Sequence, residues 1–279
     1  MTRSTTSAPT IPIGFIMPAD SRLDWEVHNL VRTPAAPYVT RTRMPSYGTS
    51  EAMTAASLRA LAESPDLEDA ADRLRGLRPA AVAYVDTSIT FVRGPGGDVD
   101  INERIARFAG CPATCTGTAV LDALVALGLK NVAVVTPYPK DVNDWIPPFL
   151  ATRDIAVEAT AIMSTNYGAG ADSGVLSQIG VDVLESAIRT VDSESVDGIF
   201  ISCTAVRTVD YIDHLEQTFG KPVVTSIQAT VWRTLQLAGL NDVREGAGTL
   251  FSGGSAAPRL ETGRTAQGGW ATPIRSSVR

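Results

Sequence analysis

The sequence predicts an α/β fold of two pseudo-symmetric lobes, each a short parallel sheet flanked by helices, with a site in the cleft between them. Three observations carry that expectation. Short apolar runs with a β-branched bias alternate with stretches whose apolar residues recur at three- and four-residue steps, which reads as strands joined by helices. Right-handed crossovers then make the sheets parallel. The pattern also restarts midway: 69 residues separate Met17, at the end of the first strand, from Asp86, and 67 separate Thr136 from Cys203. Asp86-Thr87-Ser88 and Cys203-Thr204-Ala205 therefore hold equivalent positions in two similar units, so both face one shared cleft.

In chain order, residues 1–10 read as a loose leader. Ile11–Met17 is a strand closing in Pro18-Ala19-Asp20, and Leu23, Val27, Leu30 and Val31 follow at helical spacing. Pro37–Met44 reads as a second strand, and Ala52–Ala62 and Leu67–Leu77 as helices. Pro79–Val85 is an unbroken apolar strand ending at Asp86-Thr87-Ser88. A loop with Gly94, Pro95, Gly96 and Gly97 leads to a helix near Ile101–Ala109 and then to a short strand, Pro112–Cys115. Thr116 is positioned to cap the helix that carries Val120, Leu121, Leu124 and Leu127.

The second unit opens with the strand Asn131–Thr136, ending in Pro137-Tyr138. Val142–Leu150 reads as a helix that Pro147 and Pro148 break or kink. Ile155–Met163 is a strand, Ser164–Gly174 a glycine-rich loop, and Val181, Leu184, Ile188 and Val191 mark a helix. The buried strand Ile199-Phe200-Ile201 stops at Ser202-Cys203-Thr204, and a helical pattern of Val206, Val209, Ile212, Leu215 and Phe219 starts at once. Pro222–Thr225 is the last strand and Ile227–Leu237 a closing helix. Glycine, serine and alanine then dominate Leu250–Arg279. The expected division is residues 11–115 with 228–250 in an N-terminal lobe, 116–227 in a C-terminal lobe, and loosely ordered tails at 1–10 and 251–279.

Composition narrows the function. With 44% hydrophobic and 19% charged residues, the 279-residue chain fits a soluble globular enzyme. A net charge of −6 and the lack of a basic stripe argue against nucleic acid. No run approaches the ~18 apolar residues that a membrane span requires. Three cysteines, an odd number, behind a polar Met1–Thr10 segment point to reduced thiols and a cytoplasmic protein. A homo-oligomer is left open. Cys111 and Cys115 are spaced C-x₃-C, but no further pair or nearby histidine completes a metal site.

Cys203 stands out by position. A thiol between the carboxyl end of a strand and the amino end of a helix sits where open parallel sheets place ligands, and helix amides there favour a thiolate. The alternative is an ordinary buried small hydrophobe. Asp86 has two readings as well, a helix cap or a group facing substrate, and Thr87 and Ser88 share them. The glycine loops at 94–97 and 168–174 fit no phosphate-binding spacing and are candidates for mobile covers.

Four stretches carry a family resemblance: Y-V-D-T-S-I-T-F at 84–91, T-P-Y-P-K-D-V-N at 136–143, I-S-C-T-A-V-R-T at 201–208 and G-K-P-V-V-T-S-I-Q-A-T-V-W at 220–232. In this order they resemble the aspartate/glutamate racemase superfamily, in its arylmalonate decarboxylase and maleate cis-trans isomerase branch. The resemblance implies flavodoxin-like lobes, no metal or organic cofactor, and a small carboxylic acid as substrate. It makes Cys203 the proton donor or acceptor beside a carboxylate, with Thr87, Ser88, Tyr138 and Thr204 holding that carboxylate. Removing a proton or CO₂ there leaves an enediolate, whose charge preorganised hydroxyls and amides stabilise. Decarboxylation of a substituted malonate-like acid is the leading expectation. Racemisation, epimerisation or cis-trans isomerisation by Cys203 with Asp86 is the alternative, and a catalytically idle carboxylate-binding protein the third. Asp86 stands where racemases and isomerases of the group carry a second cysteine and decarboxylases a glycine, so the chain departs from both there.

Overall fold

A computed structural model describes residues 10–43, 54–163, 173–241 and 243–252 of the chain. Among the described residues, eight parallel strands form two sheets. The first contains β1 (Ile11–Pro18), β2 (Ala35–Thr42), β3 (Ala81–Tyr84) and β4 (Ala113–Cys115), in the order β2-β1-β3-β4. The second contains β5 (Asn131–Thr136), β6 (Ala156–Ile162), β7 (Gly198–Ile201) and β8 (Val223–Thr225), in the order β6-β5-β7-β8. The two orders are the same pattern, and they confirm the repeat legible in the spacing. In each sheet the chain leaves the first strand in one direction and returns on its other side. That reversal opens a crevice at the strand ends.

The inner strands are buried on both faces, as helices packed on both sides of a parallel sheet require: β3 and β7 are buried at every residue. Of the edge strands, β6 alternates exposed with more buried positions, and β2 is mostly half-buried with one exposed residue, Tyr38. Among the described residues the buried apolar side chains make a single cluster running through both sheets. Phe91 from the first half meets Phe149 from the second with ring centroids 4.7 Å apart. Between these rings and Thr90 passes Gly117, where a Cβ would lie 2.9 Å from Thr90 Oγ1 and 3.0 Å from Phe149 Cζ.

Several expectations are corrected. The helix after Cys203 starts at Ile212 and ends at Phe219; residues 202–211 carry neither helix nor strand. Val206 and Val209 are buried as the spacing requires, but in an irregular loop. Periodicity records which side chains face the core, and a compact loop can satisfy it without helical hydrogen bonds. The stretch 142–150 is two short helices, Lys140–Asn143 and Ile146–Leu150, and the chain breaks before the prolines. Both prolines sit in the first turn of the second helix, where a missing N–H costs nothing. Thr116 is the first residue of its helix, not the cap, and its hydroxyl donates to the Tyr84 carbonyl at 3.2 Å. Leu250 and Phe251 are buried, so the proposed tail boundary falls inside a docked turn, Thr249–Phe251. Glu216 and Asp213 accept the amides of Thr249 and Gly248 and hold that turn in place. Of the glycine-rich loop expected at Ser164–Gly174, residues 164–172 lie outside the described residues, and Ser173 and Gly174 begin the short helix Ser173–Leu176. No described helix is long and apolar enough to cross a membrane.

Candidate active site

Four inner strand ends point into the crevice: β1 delivers Asp20, β3 delivers Asp86-Thr87-Ser88, β5 delivers Tyr138, and β7 delivers Cys203-Thr204. All but Asp20 are residues singled out from the sequence, and they come from both halves.

Cys203 is buried and free of disulfide. Its backbone has φ of +127°, a region that side-chain-bearing residues rarely occupy. Two contacts hold it there: its amide donates to Ser226 Oγ at 3.1 Å, and the Ala205 amide donates to its sulfur at 3.4 Å. The Tyr138 hydroxyl faces the same sulfur. Burial pushes the thiol up to about 12, the Ala205 amide and Tyr138 hydroxyl pulling the other way and Asp86 adding to the rise. The group therefore stands as a neutral thiol. The expected stabilisation of a thiolate by a helix terminus is corrected: the helix is absent there, and desolvation wins.

Asp86 is also buried. Its Oδ1 accepts the Ile89 amide at 2.9 Å and the Ser88 hydroxyl at 3.1 Å, which ties it to the first turn of the short helix Ser88–Phe91, whose N-cap position is Thr87. Burial raises its carboxyl to about 6, against the pull of the Ile89 amide and Ser88 hydroxyl; the charge of Asp20 adds to the rise. Burial likewise lifts Tyr138 well above its ordinary value, with Cys203 and Asp86 next in effect. Asp86, Tyr138 and Cys203 thus lie within one another's fields.

The hydroxyls are tied inward. Thr87 Oγ1 donates to Ser226 Oγ at 3.0 Å, so Ser226 receives both Thr87 and the Cys203 amide. One hydroxyl thereby joins the ends of β3 and β7. Thr204 Oγ1 makes a long contact of 3.4 Å to the Val85 carbonyl, again between the halves. Ser226 opens the helix Ser226–Leu237, whose Thr225–Gln228 capping box fixes its first turn. That T-S-I-Q stretch carried a readable cap signature, but Ser226's reach to the cleft depends on the tertiary fold.

Glu26, on the helix Asp24–Leu30, was not legible in the sequence at all. It is fully buried, and its Oε1 accepts the Thr208 amide at 2.6 Å and the Val209 amide at 2.9 Å. The loop that follows Cys203 is pinned by it. The same loop sends Arg207 over the Trp25 ring and into a cavity of about 360 Å³ lined also by Arg22, Leu23 and Ser177. His28 is exposed and bonds the Asp24 carbonyl of its own helix, outside the site. Cys111 and Cys115 are buried thiols raised to about 11 and about 12 by burial, and they play no part in the crevice described.

The model of the family described as arylmalonate decarboxylase matches residues 46–251, most of the chain. The chain belongs to that family. Arylmalonate decarboxylase from Bordetella bronchiseptica is 35% identical over 187 residues, covering 66% of this chain and 75% of that one. A maleate isomerase from Geobacillus stearothermophilus is 23% identical over 201 residues, 68% of this chain and 78% of its own. Among solved structures, a liganded arylmalonate decarboxylase bearing glycine-to-cysteine and cysteine-to-serine changes superposes with a TM-score of 0.74 at 28% identity, covering 87% of this chain and 99% of that one. The maleate isomerase Iso from Pseudomonas putida S16 gives a TM-score of 0.77 at 24% identity, covering 88% and 99%, and shares the fold. This member of the arylmalonate decarboxylase family is an enzyme of the decarboxylase and isomerase branch, whose relatives act on small carboxylates.

Proposed function

We propose that the chain is a decarboxylase of α-substituted malonates, needing no cofactor, in which Cys203 protonates the enediolate left by loss of CO₂. The observation that supports it most is the state of the thiol. A sulfur that burial raises to about 12 carries its proton at neutral pH, which a proton donor needs and a thiolate nucleophile does not. Loss of CO₂ from the substrate leaves its bonding electrons on the α-carbon and the remaining carboxylate. The thiol proton then passes to that carbon, and the thiolate regains a proton from solvent.

The Tyr138, Thr87, Ser88 and Thr204 hydroxyls are the proposed donors to the enediolate oxygens. Ser88 would turn from Asp86, and Thr87 from Ser226, to reach them. Asp86 stands beside this charge with a carboxyl raised to about 6, and as an ion it would repel a further carboxylate in the α-substituent: at an effective dielectric of ~20, like charges ~4 Å apart cost about 4 kcal/mol. It therefore favours a substituent that is neutral and hydrogen-bonding. The same carboxyl keeps a second reading in view, a Cys203/Asp86 two-base racemase. The lobe division at 11–115 with 228–250 and 116–227 is part of this proposal, supported by the packing of the helix Ser226–Leu237 on β3 and β4 of the first sheet. Three free thiols support a reducing, cytoplasmic setting.

The test is turnover in D₂O with α-methyl-α-phenylmalonate and, separately, with a single-enantiomer α-aryl acid. CO₂ release with one deuterium at the α-carbon, lost at least ~10²-fold in Cys203→Ala, is the expected result. Exchange of deuterium into the monoacid without any CO₂ release from the malonate would favour the racemase. Binding without either would leave a carboxylate-binding protein.

A further inference from the structure

Residues 202–211 carry the reactive thiol between β7 and the helix Ile212–Phe219, and backbone bonds support them only in part: the Ser202 amide donates to the Val135 carbonyl, Val206 to Cys203 and Tyr211 to Thr208. Side chains from distant parts of the chain hold the thiol and the middle of the loop. The Cys203 amide goes to Ser226, the Thr208 hydroxyl to Thr225 Oγ1 at 3.1 Å, and the Thr208 and Val209 amides to one oxygen of Glu26. Glu26 lies 182 residues earlier in the chain than Thr208, in the other half of the fold. Its second oxygen, Oε2, is buried without a hydrogen-bond partner among the described residues. Burying a carboxyl group with one oxygen unsatisfied is costly, and nothing about the core of the helix Asp24–Leu30 calls for it. The return lies in the loop: a strained residue such as Cys203 keeps its conformation only when its surroundings over-determine it. Arg207, whose guanidinium carbon lies 5.3 Å from the Trp25 ring centroid and 5.2 Å from that of Tyr211, adds a second tie between the same helix and the same loop.

We propose that Glu26 is a positioning residue for the reaction: by receiving the Thr208 and Val209 amides on Oε1, it fixes the Cys203 loop in the conformation that aims the thiol at substrate. The proposal rests on the reading of Cys203 as the proton donor, and it assigns to Glu26 no contact with substrate. What matters is reach. Glutamine puts an acceptor oxygen in the same place, whereas aspartate keeps the charge but withdraws the oxygen by one methylene.

Full-length Glu26→Gln and Glu26→Asp test this, with urea unfolding first used to fix conditions in which each is folded. On an α-aryl malonate, Glu26→Asp is expected to lose about 10-fold or more in kcat with KM changed less than about threefold, since displacement of a catalytic group by ~1 Å costs up to ~10²-fold. Glu26→Gln is expected to stay within about threefold of wild type in kcat. A second readout needs no substrate: alkylation of Cys203 by iodoacetamide, followed peptide by peptide, should change rate in Glu26→Asp but not in Glu26→Gln, with Cys115 unchanged in both. Equal kcat in wild type and Glu26→Asp, a pure KM effect, or equal losses in the two variants would each overturn the proposal. If wild type turns over no malonate, the functional reading fails, and the alkylation rates still decide the role of Glu26.

Discussion

At the scale of single residues, the site turns on how burial sets protonation. Cys203 is kept neutral by desolvation, and Tyr138 is kept neutral by the same cause, so in the proposed mechanism the pair offers two protons to charge that develops between them. A donor that meets charge only in the transition state should act on kcat. Tyr138→Phe is therefore expected to lower kcat by ~10², with a smaller rise in KM, in steady-state assays of CO₂ release. A change in KM alone would remove Tyr138 from the oxyanion role. Position had left Cys203 open between a reactive thiol and a packing residue. Its positive φ and its two hydrogen bonds are features that an ordinary packing cysteine does not need.

At the scale of elements, the helix Ser226–Leu237 does two jobs. Its capping box satisfies its own first turn, and its first residue reaches out to join β3 and β7. Ser226→Ala would strand the Cys203 amide and the Thr87 hydroxyl, both buried. An expected loss of about 1–3 kcal/mol per unpaired group should appear as a lower urea midpoint, together with a fall in kcat. The helix Thr116–Ala126 shows the opposite constraint, closeness. Gly117→Ala would gain helix propensity of about 1 kcal/mol, but its methyl group meets Thr90 and Phe149. Overpacking of this kind costs about 1–3 kcal/mol, so the variant should be net destabilised, as thermal unfolding can check. Relief of the contact by Phe149→Leu in the same chain should restore part of the loss.

At the scale of the whole molecule, two buried carboxyls link stability to pH. Folding raises Glu26 from 4.5 to about 7 and Asp86 from 3.8 to about 6, in both cases mainly by burial. For each acid, the folded state therefore prefers the protonated form. Their contribution is fully present below about pH 4, and it is lost as pH rises through about 6 for Asp86 and about 7 for Glu26. The free-energy change is on the order of 3 kcal/mol for each group. Urea midpoints of wild type and of Glu26→Gln/Asp86→Asn, measured from pH 4 to 8, should thus converge at the acid end and diverge in favour of the variant at the alkaline end. A constant difference across that range would contradict the burial-driven shifts.

The sequence by itself determined the class of fold, the succession of strands along the chain, the repeat of one unit by another, and the identity of the residues at the strand ends. Those follow from hydrophobic periodicity and chain spacing, which are local and survive without coordinates. The motifs at 84–91, 136–143, 201–208 and 220–232 also carried the family. Only the tertiary structure decided what holds the thiol. The spacing of Val206, Val209 and Ile212 records which side faces the core, and it is silent on whether an amide meets a carbonyl four residues back. In residues 202–211 the Cys203 amide is taken by Ser226 and the Thr208 and Val209 amides by Glu26, both distant in sequence. Glu26 itself sits between Trp25 and Val27 in what reads as an ordinary helix, and its burial depends on the other half of the chain folding over it. The protonation of Cys203 was decided in the same way. Its electrostatics depend on the missing helix terminus, on nearby Asp86 and on exclusion of water, none of which is written in the residues around position 203.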